Sequence, residues 1–159
     1  MIRAAPLEAA AFAPFGDVLE AAGEADRIIN QGRCGRFHDR ARLDFGDGRA
    51  GVSIFRAAPR ALPYALDMLE RHPEGTQAFI PMSEHPFLVF VAPDAGGAPG
   101  APHAFVARPG QGVNYLRGVW HGVLAPLHAP GLFAVIDRIG PGANLEEHWL
   151  DAPVTVTLR

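Results

Sequence analysis

Leu-Glu-Arg-His-Pro-Glu-Gly-Thr-Gln-Ala-Phe-Ile-Pro, residues 69–81, places charged and amide side chains among apolar residues typical of a barrel wall. On a strand, residues two apart share a face, so Glu70 and His72 would point the same way. Residues 73–75 permit a tight turn, after which Gln77 would begin the returning strand. We therefore expect Glu70, His72 and Gln77 to converge inside a small barrel.

A second stretch, residues 113–121, carries one more histidine behind a Gly-Val-Trp turn. That turn would bring His121 to the same mouth of the barrel as Glu70, His72 and Gln77. Two histidines with a carboxylate suit a divalent transition metal, and an amide oxygen can complete the ligand set. The alternative is a polar rim without metal, in which each histidine has a structural role.

The rest of the chain consists of short apolar stretches separated by glycine and proline, of which the sequence has 18 and 15. This pattern predicts an all-β fold, an antiparallel barrel or sandwich with minor helix at Leu7–Phe12. The length favours a single domain, residues 1–159. Loops are predicted at 31–36 and 94–102. The predicted strands are 27–30, 50–57, 87–92, 103–107, 113–116, 119–126, 132–139 and 154–158, and residues 64–69 fit either a strand or a helix.

The composition excludes several classes of function. All 14 basic residues are arginines, so lysine Schiff-base chemistry is excluded. The net charge is −3 with no basic arm, which argues against nucleic acid as a partner. No apolar run approaches the roughly 18 residues that a membrane helix needs. Glu8 stands where a secretion signal needs an apolar core, and the single cysteine, Cys34, fits a reducing compartment, so we expect a cytoplasmic protein.

Two motifs resemble those of the cupin superfamily. The first is Glu70-x-His72 followed, after four intervening residues, by Gln77, where cupins have His-x-His and then, after three or four intervening residues, Glu. The second is residues 116–121, which match the cupin Pro-x-Gly-x-x-His turn apart from Leu116 at the proline. The resemblance implies a cupin-like double-stranded β-helix (jelly-roll) barrel.

Further blocks extend across the chain and resemble the ureidoglycolate lyase family, formerly called ureidoglycolate hydrolases. The resemblance implies an enzyme that splits (S)-ureidoglycolate into glyoxylate and urea in allantoin (purine) breakdown. It also implies a homodimer and a nickel cofactor. The blocks that carry it are residues 28–32, 36–39, 69–73, 75–82, 111–115, 119–121 and 136–138.

Under this resemblance, the substrate would chelate on a metal or polar cluster formed by Glu70, His72, Gln77 and His121. Glu70 is alternatively the general base if no metal is bound, and an inward-facing Asp137 would orient a histidine. Other predicted contacts are Asn30 to the urea group, Arg36 and His38 for carboxylate capture and proton transfer, and Arg71, Tyr115 and Trp120 beside the substrate. Two alternative functions are a metal-dependent cupin dioxygenase acting on a small acid and a non-enzymatic cupin ligand-binding module.

Overall fold

The computed structural model describes residues 1–158, so Arg159 of the predicted 1–159 domain lies outside the described residues. Within that range the chain is almost entirely β-structure, which confirms the all-β prediction with minor helix. Residues 1–158 contain one helix, α1, which is Ala9–Phe12. The strands are β1 (Ile2–Arg3), β2 (Ala5–Pro6), β3 (Gly16–Leu19), β4 (Arg27–Ile29), β5 (Cys34–Arg36), β6 (Arg49–Ala57), β7 (Tyr64–Arg71), β8 (Gln77–Pro81), β9 (Phe87–Ala92), β10 (His103–Ala107), β11 (Gly112–Tyr115), β12 (Trp120–His121), β13 (Ala125–Pro126), β14 (Gly131–Ile139) and β15 (Glu146–Thr157).

Two large, mainly antiparallel sheets and one small hairpin contain all of these strands. The first sheet has the order β1-β15-β7-β12-β9-β10-β2, with β13 also paired to β9. The second has the order β3-β11-β8-β14-β6, and β4 pairs with β5 alone. The two large sheets form a near-closed barrel, consistent with the predicted cupin-like fold. Residues 1–158 contain no helix of the length and hydropathy needed to cross a membrane.

Strand β9 shows how the sequence builds the core. All six residues of Phe87–Ala92 are buried. Alternate residues, beginning with Phe87, pack in a cluster that includes Phe79 and Phe133 of the second sheet and therefore lies inside the barrel. The others pack in a second cluster on the opposite face of β9. A strand covered on both faces needs a continuous apolar sequence, as this one has. Burial of each such large side chain contributes about 1.5–3 kcal/mol.

The predicted strand 119–126 is instead two short strands, β12 and β13. Their pairing with β9 is offset by one residue, so the chain bulges between them. Gly122 lies in the bulge, where its N–H donates a 2.9 Å hydrogen bond to the carbonyl oxygen of Phe90. A Cβ at Gly122 would come within 2.7 Å of the Phe90 ring, so this close approach requires glycine. The bulge redirects the chain immediately after His121.

Other boundaries also differ from the prediction; the helix, for example, is Ala9–Phe12 and not Leu7–Phe12. Cys34–Arg36 is a strand, β5, rather than part of a loop, and it pairs with β4 through a turn in which Asn30, Gln31 and Gly32 have positive φ. Two strands of three residues are too short to show any periodicity. The ambiguous segment 64–69 is a strand and belongs to β7. Its partner, β15, begins at Glu146, eight residues before the strand predicted to begin at 154.

Candidate active site

Glu70 and His121 lie side by side on neighbouring strands of the first sheet. Glu70 on β7 is directly opposite His121 on β12, and His121 is opposite Val91 on β9. Residues directly opposed in adjacent strands share a face of the sheet. Val91 belongs to the core cluster inside the barrel. Glu70 and His121 therefore point into the barrel.

Gln77 reaches the interior from the second sheet. It is the first residue of β8 and lies between Tyr115 of β11 and Asp137 of β14. Two residues further along β8, on the same face, Phe79 packs in the core cluster. Gln77 is buried, with 6% of its surface exposed, and it marks the point where the apolar interior becomes polar.

His72 completes the group, because it follows the last residue of β7 and approaches His121. The centroids of their rings are 5.1 Å apart. The potential ligand atoms of Glu70, His72 and His121 all lie within 4.8 Å of one another. Ligands bound at about 2 Å from one ion are up to about 4 Å apart, so small side-chain rotations would bring these three onto a metal. We refer to Glu70, His72, Gln77 and His121 as the polar cluster.

The two imidazoles are oriented by main-chain carbonyl groups. Nδ1 of His72 is 2.7 Å from the carbonyl oxygen of Asn144, and Nδ1 of His121 is 3.0 Å from that of Gly122. A carbonyl oxygen only accepts, so each Nδ1 carries a hydrogen, and the neutral tautomer that this contact selects has its lone pair on Nε2. Both Nε2 atoms are buried and have no hydrogen-bond partner within residues 1–158.

The amide of Gln77 is held in a similar way. Its Nε2 donates a 3.1 Å hydrogen bond to Oδ2 of Asp137. Its Oε1 is buried and, like the two histidine Nε2 atoms, lacks a partner among the described residues. Within residues 1–158, the polar cluster thus has three buried acceptor atoms without partners, two of them on histidines beside the Glu70 carboxylate. This donor set fits a divalent transition metal, since buried polar atoms without partners are rare and costly.

Burial also sets the charges of the cluster. It raises the pKa of the Glu70 carboxyl above its ordinary 4.5; His72 opposes this change and Glu147 adds to it. Burial, reinforced by His72 and opposed by the Gly122 carbonyl, lowers the pKa of His121 to about 3. The His121 imidazole is therefore neutral at any ordinary pH. The pKa of Tyr115 is raised, mainly by burial and further by Glu70, so its phenol keeps its proton.

Of the predicted aromatic contacts, the structure brings Tyr115 to the cluster. Its ring stacks on that of His121, with centroids 4.2 Å apart and planes 6° apart. Trp120 lies on the opposite face of the sheet, in the second core cluster. Arg71 lies there too: its guanidinium is over the Trp120 ring, and it pairs with Asp94 at 2.9 Å and Glu146 at 2.6 Å. Arg71 and Trp120 are thus away from the polar cluster.

The remaining predicted residues lie on or beside the β4–β5 hairpin. Asn30, Arg36 and His38 are all exposed. The main-chain N–H of His38 donates to Asp26, which also pairs with Arg40. Within residues 1–158, no hydrogen bond or ion pair joins Asn30, Arg36 or His38 to the polar cluster. Sequence reasoning placed them at the site through family resemblance alone.

Two residues that shape the site were missed or assigned differently. Asn144 holds His72 through its main-chain carbonyl, and no side-chain pattern signals such a contact. Asp137 faces inward, but it bonds the amide of Gln77 rather than orienting a histidine. Its inward orientation has a sequence signal, because Phe133 and Val135 precede it at alternate positions of β14 and are both buried.

A β-barrel whose interior ends in two histidines, a glutamate and a glutamine defines a cupin-like protein with a metal-type donor set. The family model described as ureidoglycolate lyase matches residues 1–157. The chain belongs to the ureidoglycolate lyase family.

Individual relatives agree along nearly the whole chain. The chain is 60% identical over 152 residues to a ureidoglycolate lyase of Rhodobacter capsulatus, covering 95% of this chain and 94% of that protein. It is 50% identical over 159 residues to a ureidoglycolate lyase of Chelativorans, with coverage of 99% and 96%. A Rhizobium meliloti protein named ureidoglycolate lyase 2 is 51% identical over 153 residues, with coverage of 95% and 94%.

Proposed function

We propose that this protein is a carbon–nitrogen lyase that splits (S)-ureidoglycolate into glyoxylate and urea, within allantoin (purine) catabolism. One structural observation carries the proposal: in a chain of this family, potential ligand atoms of Glu70, His72 and His121 lie within 4.8 Å of one another, and within residues 1–158 both histidine Nε2 atoms are buried without a hydrogen-bond partner. The relatives named ureidoglycolate lyase supply the substrate. The hydroxyl of a small α-hydroxy acid can donate a hydrogen bond to such an acceptor atom. The same atoms can instead hold a cation that binds the hydroxyl oxygen.

The reaction is an elimination that consumes no water. One carbon of ureidoglycolate bears a carboxylate, a hydroxyl and a urea nitrogen. The hydroxyl loses its proton as the C=O bond of glyoxylate forms, the C–N bond breaks, and the nitrogen gains a proton to give urea. The protein must therefore accept one proton, return one proton, and hold the carboxylate.

Glu70 is suited to the proton transfers. Burial raises its pKa, which makes its carboxylate a better base and its carboxylic acid available nearer to neutral pH. The hydroxyl oxygen and the urea nitrogen are bonded to the same carbon, so one carboxyl group can accept the proton from the first and return it to the second. Proton transfer by a positioned group contributes typically about 10²- to 10⁴-fold.

His72, Gln77 and His121 would hold a divalent metal, nickel by family resemblance, through their free Nε2 and Oε1 atoms. When bound, such a metal supplies positive charge that lowers the pKa of the substrate hydroxyl. Glu70 is the fourth candidate ligand. Nickel binding by Glu70→Gln separates its two roles: a ligand role predicts weaker binding, whereas a role as base alone predicts lost turnover with binding retained.

Arg36, Asn30 and His38 would contribute from the hairpin. Arginine forms bidentate pairs with carboxylates, so Arg36 is proposed for the substrate carboxylate. Asn30 is proposed for the urea group, and His38 for assistance to proton transfer. Arg71 and Trp120 have no proposed contact with the substrate, because their side chains are engaged on the opposite face of the first sheet.

We also propose a cytoplasmic homodimer in which each chain is one domain over residues 1–159. Family resemblance supports the dimer. The single cysteine supports the reducing compartment.

The decisive experiment follows ureidoglycolate consumption, glyoxylate release and dissolved oxygen in one reaction. Stoichiometric glyoxylate and urea without oxygen uptake is the expected result. Oxygen consumption would instead indicate a dioxygenase. Ligand binding without turnover would indicate a non-enzymatic binding module.

A further inference from the structure

We infer that Asp137 is a positioning residue, which holds the Gln77 amide so that its carbonyl oxygen, and not its NH₂ group, faces Glu70, His72 and His121. This inference rests on the metal-binding role proposed for the cluster. It concerns the orientation of the Gln77 amide before a cation binds.

A glutamine side chain is ambiguous as a ligand, because its oxygen and its NH₂ group have nearly the same shape. Rotation by half a turn about the last bond exchanges a lone-pair acceptor for two donors. A donor directed at the cluster would repel a cation and leave an NH₂ group facing the lone pairs of the histidines. Gln77 can therefore serve the cluster only if something fixes the rotation.

Asp137 provides that restraint. It is directly opposite Gln77 in the β8–β14 pair, and its Oδ2 lies 3.1 Å from Gln77 Nε2. A carboxylate has no hydrogen to donate, so it requires the NH₂ group on its own side. The reverse rotation would place the amide oxygen against a carboxylate oxygen, with neither able to donate. Loss of a part-buried hydrogen bond from a buried amide to a carboxylate typically costs about 1–3 kcal/mol, enough to keep one rotamer dominant.

The surroundings of Asp137 support an assignment to this task. Phe133 and Val135 fill the two preceding inward positions of β14 with core side chains. Asp137 then places a carboxylate where the apolar series would continue. Within residues 1–158, the hydrogen bond to Gln77 is the one side-chain hydrogen bond that Asp137 makes, and Gln77 Oε1 is left buried without a partner.

The test is a double-mutant cycle read by nickel(II) binding to the tag-free, metal-depleted full chain, measured by calorimetry without substrate. Asp137→Leu removes the acceptor at similar volume. We expect it to weaken nickel binding about 10- to 100-fold, the loss typical of an outer-shell partner. Gln77→Glu supplies the second background, because a carboxylate has two equivalent oxygens and needs no orienting partner.

In the Gln77→Glu background, Asp137→Leu is expected to leave nickel affinity within about twofold or to improve it, since two adjacent carboxylates no longer repel. Equal losses in both backgrounds would mean that Asp137 supports the structure in general, and would overturn the inference. The inference would also be overturned if Asp137→Leu left nickel affinity unchanged in the chain that keeps Gln77, or if the wild-type chain bound no nickel.

Two controls keep these outcomes separate. Thermal unfolding of each variant shows whether it is folded; if Asp137→Leu is not, Asp137→Ala takes its place with the same expected ratio. The ureidoglycolate assay of the wild-type chain is independent of the cycle. A chain that binds nickel and shows the expected coupling, but does not cleave ureidoglycolate, would refute the proposed reaction and leave the role of Asp137 intact.

Discussion

The ring of Tyr115 lies parallel to that of His121, so one face of the imidazole is covered by an aromatic surface rather than by water. Tyr115 comes from the second sheet and His121 from the first. The stack therefore spans the barrel at the polar cluster and fixes the plane of a proposed metal ligand.

Tyr115→Phe should retain this stack, whereas Tyr115→Ala should leave a cavity beside His121. We expect the alanine variant to lose about 3–5 kcal/mol of unfolding free energy, as for other buried aromatics, and the phenylalanine variant far less. Urea denaturation measures both values. Equal stabilities of the two variants would show that the ring does not support the barrel at this point.

His121→Asn should weaken nickel(II) binding by more than about 100-fold, because it removes a ligand and not merely an outer-shell partner. His85→Asn is the matched control, since His85 is exposed and outside the polar cluster. Calorimetry on tag-free protein gives both affinities. A similar small loss in the two variants would place the metal elsewhere.

Glu70→Gln should lower kcat by about 10²- to 10⁴-fold while thermal unfolding stays close to that of the wild type. Glu84→Gln, in an exposed turn after β8, is the control and should remain active.

In the wild type, kcat/KM should fall as the pH drops through the pKa of Glu70, because the base must be ionised. Burial raises that pKa, so the acidic fall should be centred above 4.5. A fall centred below 4.5 would argue against Glu70 as the base.

Arg36→Ala should raise KM and lower kcat/KM by about tenfold or more, the effect of losing one hydrogen bond to a charged group. Arg33→Ala lies in the same hairpin and is likewise exposed, so it controls for a general change in charge. Steady-state kinetics on both variants decide the point. Wild-type kcat/KM in Arg36→Ala would remove this residue from the proposed site.

Asp17, which lies outside the polar cluster, makes the free energy of unfolding depend on pH. Burial alone would raise its pKa, but hydrogen bonds from the Arg42 main chain, the Asn114 amide and the Arg42 guanidinium outweigh it and lower the pKa below 3.8. Asp17→Asn should therefore cost about 1–3 kcal/mol of unfolding free energy at neutral pH.

A lowered pKa stabilises the fold above the ordinary value, and that contribution disappears as the pH falls through the lowered one. The difference between wild type and Asp17→Asn should accordingly shrink on acidification below pH 3.8. Asp39→Asn, an exposed residue, is the control and should change stability little at any pH. A difference that grows on acidification would contradict the assignment.

The sequence predicted the barrel strands well where apolar residues form long runs or alternate. Residues 87–92 and 103–107 match β9 and β10 at both ends, because burial dictates such stretches. The break after His121 was not predictable, since it depends on how closely Gly122 approaches Phe90 on another strand. The hairpin strand at Cys34 is too short to carry a pattern.

In the candidate site too, the features set by strand alternation were predictable and those set by distant contacts were not. The alternation of β7 and the turn after it place Glu70, His72 and Gln77 correctly with respect to the barrel interior, because strand geometry alone decides which face a residue occupies. The partners that orient these side chains depend on pairing between distant segments. No local rule indicates that the carbonyl of Asn144 meets His72, or that Asp137 meets the amide of Gln77.

Both imidazoles of the cluster are steered by peptide carbonyl groups, which every amino acid possesses. Substitution at Asn144 would lose the Oδ1 that accepts from the Glu74 N–H, but it would keep the main-chain oxygen that His72 uses. Gly122 supports His121 in the same way, and only its close approach to Phe90 restricts the residue there. Gln77, by contrast, depends on a carboxylate that a single codon change can erase. Mutational tolerance around the site should therefore be uneven: more permissive at Asn144, whose support to His72 is main chain, and strict at Asp137.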